Sequence, residues 1–121
     1  MLVMTAGQMS AGQAGLRQRF VENLSGELAQ RYEMALDTRL CDFVADCREA
    51  GLAVGFETDR QIADFTEACL LSKNAIRNDP EFVALMQKPL MRAETKAGEM
   101  LRRWVWPHPA WVNGTDETGD F

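Results

Sequence analysis

The chain predicts an all-α fold, a single-domain bundle of about five helices with an extended C-terminal tail. Three observations carry that expectation. Apolar residues recur at helical spacing through most of the sequence, and no segment sustains the alternation of a strand. Capping residues and Pro or Gly breaks cut the sequence into helix-sized pieces. A composition 46% hydrophobic and 26% charged, over 121 residues, suits one soluble core. The bundle is expected over residues 1–106, and residues 107–121 form a Pro- and Trp-containing acidic tail.

Helix 1 is expected over about residues 8–32. Thr5 with Gln8, or Ser10, can start it. Leu16, Phe20, Leu24 and Leu28, with Val21 beside them, make one apolar stripe. Helix 2 covers about residues 38–50, capped by Asp37 or Thr38 and stopped at Gly51. Leu40, Phe43, Val44 and Cys47 give its buried face. Leu52 to Phe56 is the one candidate extended piece, too short to build a sheet.

Helix 3 begins at Thr58, whose spacing to Gln61 is that of a capping box. Ile62, Phe65, Cys69 and Leu70 face inward, and Ala63, Ala68 and Leu71 widen the apolar surface. This most apolar helix is expected at the centre. Asp79-Pro80 opens helix 4, over about residues 80–87, with the proline where its missing N–H costs nothing. Helix 5 runs over about residues 90–105 through Leu90, Ala93, Ala97, Leu101, Trp104 and Val105.

The residues offer little chemistry. A formal net charge of -5, with arginines spread along the chain, disfavours nucleic acid. No stretch approaches the roughly 20 apolar residues that span a bilayer, so no membrane partner is expected. The start lacks the pattern of a signal peptide, which points to the cytoplasm. Cys41, Cys47 and Cys69 form no CxxC and are expected as buried free thiols. His108, the single histidine, sits between Pro107 and Pro109 with no scaffold for a triad. Asp64 and Glu67 share a helix face, as solvated acids or, distantly, as an acid–base pair. Metal and nucleotide motifs are not recognised, so catalytic residues, metal ligands and cofactors are all expected to be none.

Interaction remains. Met86, Met91 and Met100 lie along helices 4 and 5, either as core filling or as an adaptable binding surface. Trp104 closes the core pattern. Trp106 and Trp111 follow its end and either dock a partner or fold back on the bundle. These five residues other than Trp104 are the candidate partner-binding set.

The order of features resembles a family of short helical proteins encoded in type VI secretion clusters, beside PAAR, adaptor and effector genes. The similarity runs over about residues 2–105. It is carried by Leu2-Val3-Met4-Thr5-Ala6-Gly7-Gln8-Met9, then by Arg17, Arg19, Phe20 and Leu28. Asp42-Phe43-Val44 through Ala50-Gly51-Leu52 follows, then Ile62-Ala63-Asp64-Phe65 and Asp79-Pro80-Glu81-Phe82-Val83-Ala84. Lys73 and Ile76 stand where the family often has glycine and phenylalanine, and Phe82 lies where a tryptophan is common. The resemblance implies a bacterial, cytoplasmic, non-enzymatic accessory to effector delivery. Such a protein acts as a co-chaperone or adaptor partner, and its ligand is the effector chaperone, the adaptor or the effector. Homo-oligomerisation is left open. The alternative is an immunity protein that blocks a cognate toxin, its acidic charge suiting a basic active site.

Overall fold

The computed structural model describes residues 6–108, with side-chain surroundings given from Gly15 onward. It is all-α. The elements are α1 (Ala6–Arg31), α2 (Thr38–Val54), α3 (Asp59–Ser72), a 3₁₀ turn (Ala75–Asn78), α4 (Pro80–Met86) and α5 (Ala93–Met100). α5 runs without a break into a π-helical turn, Leu101–Val105. No strand occurs among the described residues.

Local chemistry sets most of the boundaries. Asp37 caps α2 by accepting from the Leu40 N–H at 3.0 Å. Thr58 and Gln61 form the expected capping box at the start of α3: the Gln61 N–H donates to Thr58 Oγ1, and Gln61 Oε1 accepts from the Thr58 N–H. Asp79 caps α4 by accepting from the Glu81 N–H, with Pro80 in the first turn. Lys96 closes the other end of α4, donating from Nζ to the Met86 carbonyl at 2.7 Å. Thr5, the other proposed cap, lies outside the described residues.

The end of α2 differs from expectation. Gly51 does not stop it; the helix continues through Leu52 to Val54, so this stretch is helical rather than extended. The stop is Gly55, at φ 110°, a left-handed conformation that glycine adopts at little cost. The Phe56 N–H reaches the Gly51 carbonyl at 3.0 Å, and the Gly55 N–H the Leu52 carbonyl at 3.1 Å. This is a Schellman ending, and it turns Phe56 into the core. Gly51 serves another purpose: a Cβ there would stand 3.2 Å from Phe65 Cδ2, so glycine lets α2 approach α3 closely.

α3 is central, packed against α2, α5, the π turn and, sparsely, α1. A ladder of rings runs through the core. Phe56 meets Phe65 at 5.7 Å, Phe65 stacks on Phe82 at 5.7 Å, and Phe82 takes the edge of Trp104 at 5.9 Å. The ladder joins the α2–α3 turn, α3, α4 and the π turn. Around it lie Ile62, Ala68, Leu71, Ile76, Met86, Ala97, Met100 and Val105. A second cluster, Val21, Leu24, Leu28, Leu40 and Val44, seals α1 onto α2.

The π turn has a packing reason. Met100 and Val105 are both fully buried, although five residues of α-helix would set them about 140° apart. A wider turn, with the Trp106 N–H bonded to the Leu101 carbonyl at 2.8 Å, brings both onto the inner side.

Candidate functional site

Sequence spacing grouped Met86, Met91, Met100, Trp106 and Trp111; the structure separates them. Met100 is 0% exposed and Met86 is buried with it, so both are corrected from partner-facing residues to core residues. Their place beside Phe82 and Val105 in the main cluster is the reason. Met91 is half-buried in the α4–α5 connection, next to Leu90, which is 97% exposed. Trp106 is 47% exposed at the far end of the α5–π rod, about 20 Å away by helical rise. Trp111 lies outside the described residues.

The acidic pair on α3 is occupied by structural partners. Asp64 faces the Arg60 guanidinium at 3.3 Å. Glu67 takes Arg31 Nε at 3.3 Å and the Tyr32 hydroxyl, tying the end of α1 to α3. Burial pushes the Asp64 carboxyl above its ordinary range, and Arg60 only partly offsets it. Burial, followed by the Glu67 carboxylate, pushes the Tyr32 phenol well above its ordinary range, so the phenol stays a donor. Both carboxylates are thus engaged by neighbours within the fold. His108 is half-buried, its backbone N–H on the Val105 carbonyl at 3.0 Å. Among the described residues no group of His, Cys, Asp and Glu converges as a metal site. No helix there is long and apolar enough to cross a membrane.

The surface feature best suited to recognition is one the sequence pattern concealed. α1 and α3 both pack on α2, and an open groove of about 580 Å³ lies between the three helices. Its apolar floor is Leu16, Phe20, Leu24 and Ala63, and Leu16 is 62% exposed. Arg19, Arg48 and Arg60 stand around that floor, opposed by Glu27 and Asp59. The Arg48 guanidinium lies 5.8 Å over the Phe20 ring, which fixes both on the α2 side.

The exposure of Leu16 corrects the single-stripe reading of helix 1. Residues four apart advance about 40° around a helix at 3.6 residues per turn, so Leu16 lies roughly 120° from Leu28. Leu28 meets α2 while Leu16 looks into the groove. The winding of a strict four-residue spacing was the available signal. The arginine rim, drawn from three helices, had none.

The opposite side of α1 carries a different groove. Val21, Cys41 and Ala45 floor it, and Glu22, Asp42, Asp46 and Glu49 line it with Arg17. Arg17, early in α1, spans to Glu49, late in α2, at 3.6 Å, as the antiparallel packing of the two helices allows. One helix therefore borders a groove of mixed charge with three arginines on one side and a mainly acidic one on the other.

No family model matches this chain, and no curated protein or solved structure does either.

Proposed function

We propose that the protein is a non-enzymatic protein-binding accessory of type VI secretion. It acts as a co-chaperone or adaptor partner in effector loading, in the cytoplasm of a bacterium. The resemblance of residues 2–105 to short helical proteins of such clusters supplies the biological setting. The observation that carries the binding reading is the groove along α1 and α3, whose apolar lining includes the exposed Leu16 and whose charged lining is Arg19, Arg48 and Arg60 with Glu27 and Asp59. Its occupant is an acidic amphipathic helix of the effector chaperone or adaptor. The apolar face of that helix covers Leu16 and Phe20, and its carboxylates meet Arg19 and Arg60. Occupation removes Leu16 from water, which favours binding by about 2 kcal/mol for a well-packed leucine.

A second reading has its own observation. The acidic groove of Glu22, Asp42, Asp46 and Glu49 suits the basic active site of a nuclease-type toxin, as an immunity protein requires. Co-expression with the products of the neighbouring genes separates the two readings. A co-chaperone copurifies with the chaperone or adaptor and leaves cells sensitive to the effector. An immunity protein rescues cells expressing the toxin alone. Failure to bind any secretion component would overturn both.

A further inference from the structure

Leu90 is the most exposed large apolar side chain among the described residues. It tops the connection between α4 and α5, where Lys88, Pro89, Leu90, Met91, Arg92 and Thr95 shape an open cup of about 430 Å³. The connection is held at both ends. Lys96 Nζ on the Met86 carbonyl and the Lys88 N–H on the Leu85 carbonyl fix its start, and the Lys96 N–H on the Arg92 carbonyl fixes its end. Pro89 restricts the backbone between them. A leucine presented on a loop pinned in this way docks with little loss of chain entropy. Lys88 and Arg92 flank it, both exposed, and neither forms an ion pair among the described residues. No described acidic residue lines the cup, although the chain as a whole carries a formal net charge of -5.

The complement to this loop is on the same chain. The groove between α1 and α2, about 640 Å³, has carboxylates on both banks, Glu22 on α1 and Asp42, Asp46 and Glu49 on α2. Asp46 and Glu49 already face Arg77, Arg17 and Arg48. Glu22 and Asp42 form no ion pair among the described residues, and Glu22 accepts only from the Gln18 amide at 3.1 Å. Between the banks lies the apolar floor of Val21, Cys41 and Ala45.

We propose that the Lys88–Arg92 loop of one copy seats in the α1–α2 groove of a second copy. Leu90 covers the Val21–Cys41–Ala45 floor, and Lys88 and Arg92 meet Glu22 and Asp42. The two surfaces match in sign and in shape: an apolar knob between two unpaired cations enters an apolar trough between two unpaired carboxylates. One leucine and two cations fall short of anchoring a chain of this net charge to an anionic bilayer, which repels its acids. Loop and groove are different patches, so the contact is heterologous, and it extends to a ring or an open chain of copies. One loop in one groove belongs to the small, weak class of interface, so the assembly depends on concentration. Neither patch shares a residue with the groove along α1 and α3, so self-association and the binding reading above are tested separately.

Sedimentation velocity of the purified protein over a concentration series, at low and high salt, reads the contact. The expected result is a weight-average mass that rises with concentration and falls as salt is added. Leu90→Asp in the loop and Asp42→Lys in the groove each weaken self-association at least about tenfold. Both positions are exposed, and circular dichroism checks that both variants fold. The deciding measurement mixes the two at the concentration where the wild type associates. Leu90→Asp keeps an intact groove and Asp42→Lys an intact loop, so the mixture forms a one-to-one dimer and nothing larger, while each variant alone stays monomeric. A wild-type protein that is monomeric at every concentration would overturn the proposal. So would self-association that Leu90→Asp leaves unchanged, or two monomeric variants whose mixture stays monomeric. Binding of a monomeric wild type to phosphatidylserine vesicles, lost in Leu90→Asp, would assign the loop to a membrane and overturn it equally.

Discussion

Met100 and Trp106 show why residue type alone does not locate a binding surface. Both belong to residue classes enriched where proteins meet, and both sit near the end of one helical rod. Burial decides between them: Met100 has no exposed surface and touches the core cluster, while Trp106 stands half out in solvent. Met100→Ala should lower stability by about 2–5 kcal/mol, because the surrounding core cannot fully collapse into the space. Trp106→Ala should change it by less than about 1 kcal/mol. Urea denaturation of the two variants checks this. Equal losses would mean that Trp106 belongs to the core after all.

At the scale of elements, the features set by near neighbours in sequence were legible. The Thr58–Gln61 box, the Asp37 cap and the Asp79-Pro80 start each depend on residues within three or four positions. Gly51 against Gly55 was not legible, because each is an adequate helix stop in isolation. What separates them is tertiary: a Cβ at Gly51 would crowd the Phe65 ring, and ending at Gly55 lets Phe56 enter the ring ladder. The π turn is likewise dictated by the shared burial of Met100 and Val105. The cap that ends α3 carries a cost that can be measured. Lys73 adopts φ 54° there, its N–H bonded to the Leu70 carbonyl at 3.3 Å, at a position that favours glycine. Lys73→Gly should raise the thermal midpoint, with a gain of about 0.5–1 kcal/mol. A lower midpoint would show that the lysine side chain contributes more than the backbone loses.

For the whole molecule, the fold class and the central place of α3 followed from periodicity, whereas the groove did not. It lies between α1, α2 and α3, and its arginines come from all three helices. One helix then faces two grooves of different character, and which of them a partner occupies separates a loading accessory from a toxin blocker. Amide hydrogen exchange with and without the copurified partner reads this directly, repeated with Leu16→Asp in place of the wild type. The account predicts slowed exchange around Leu16–Glu27 and Asp59–Ala63, with binding weakened at least about tenfold by Leu16→Asp at unchanged helicity. Protection confined to Cys41–Glu49, or a Leu16→Asp variant that binds as tightly as the wild type, would contradict it.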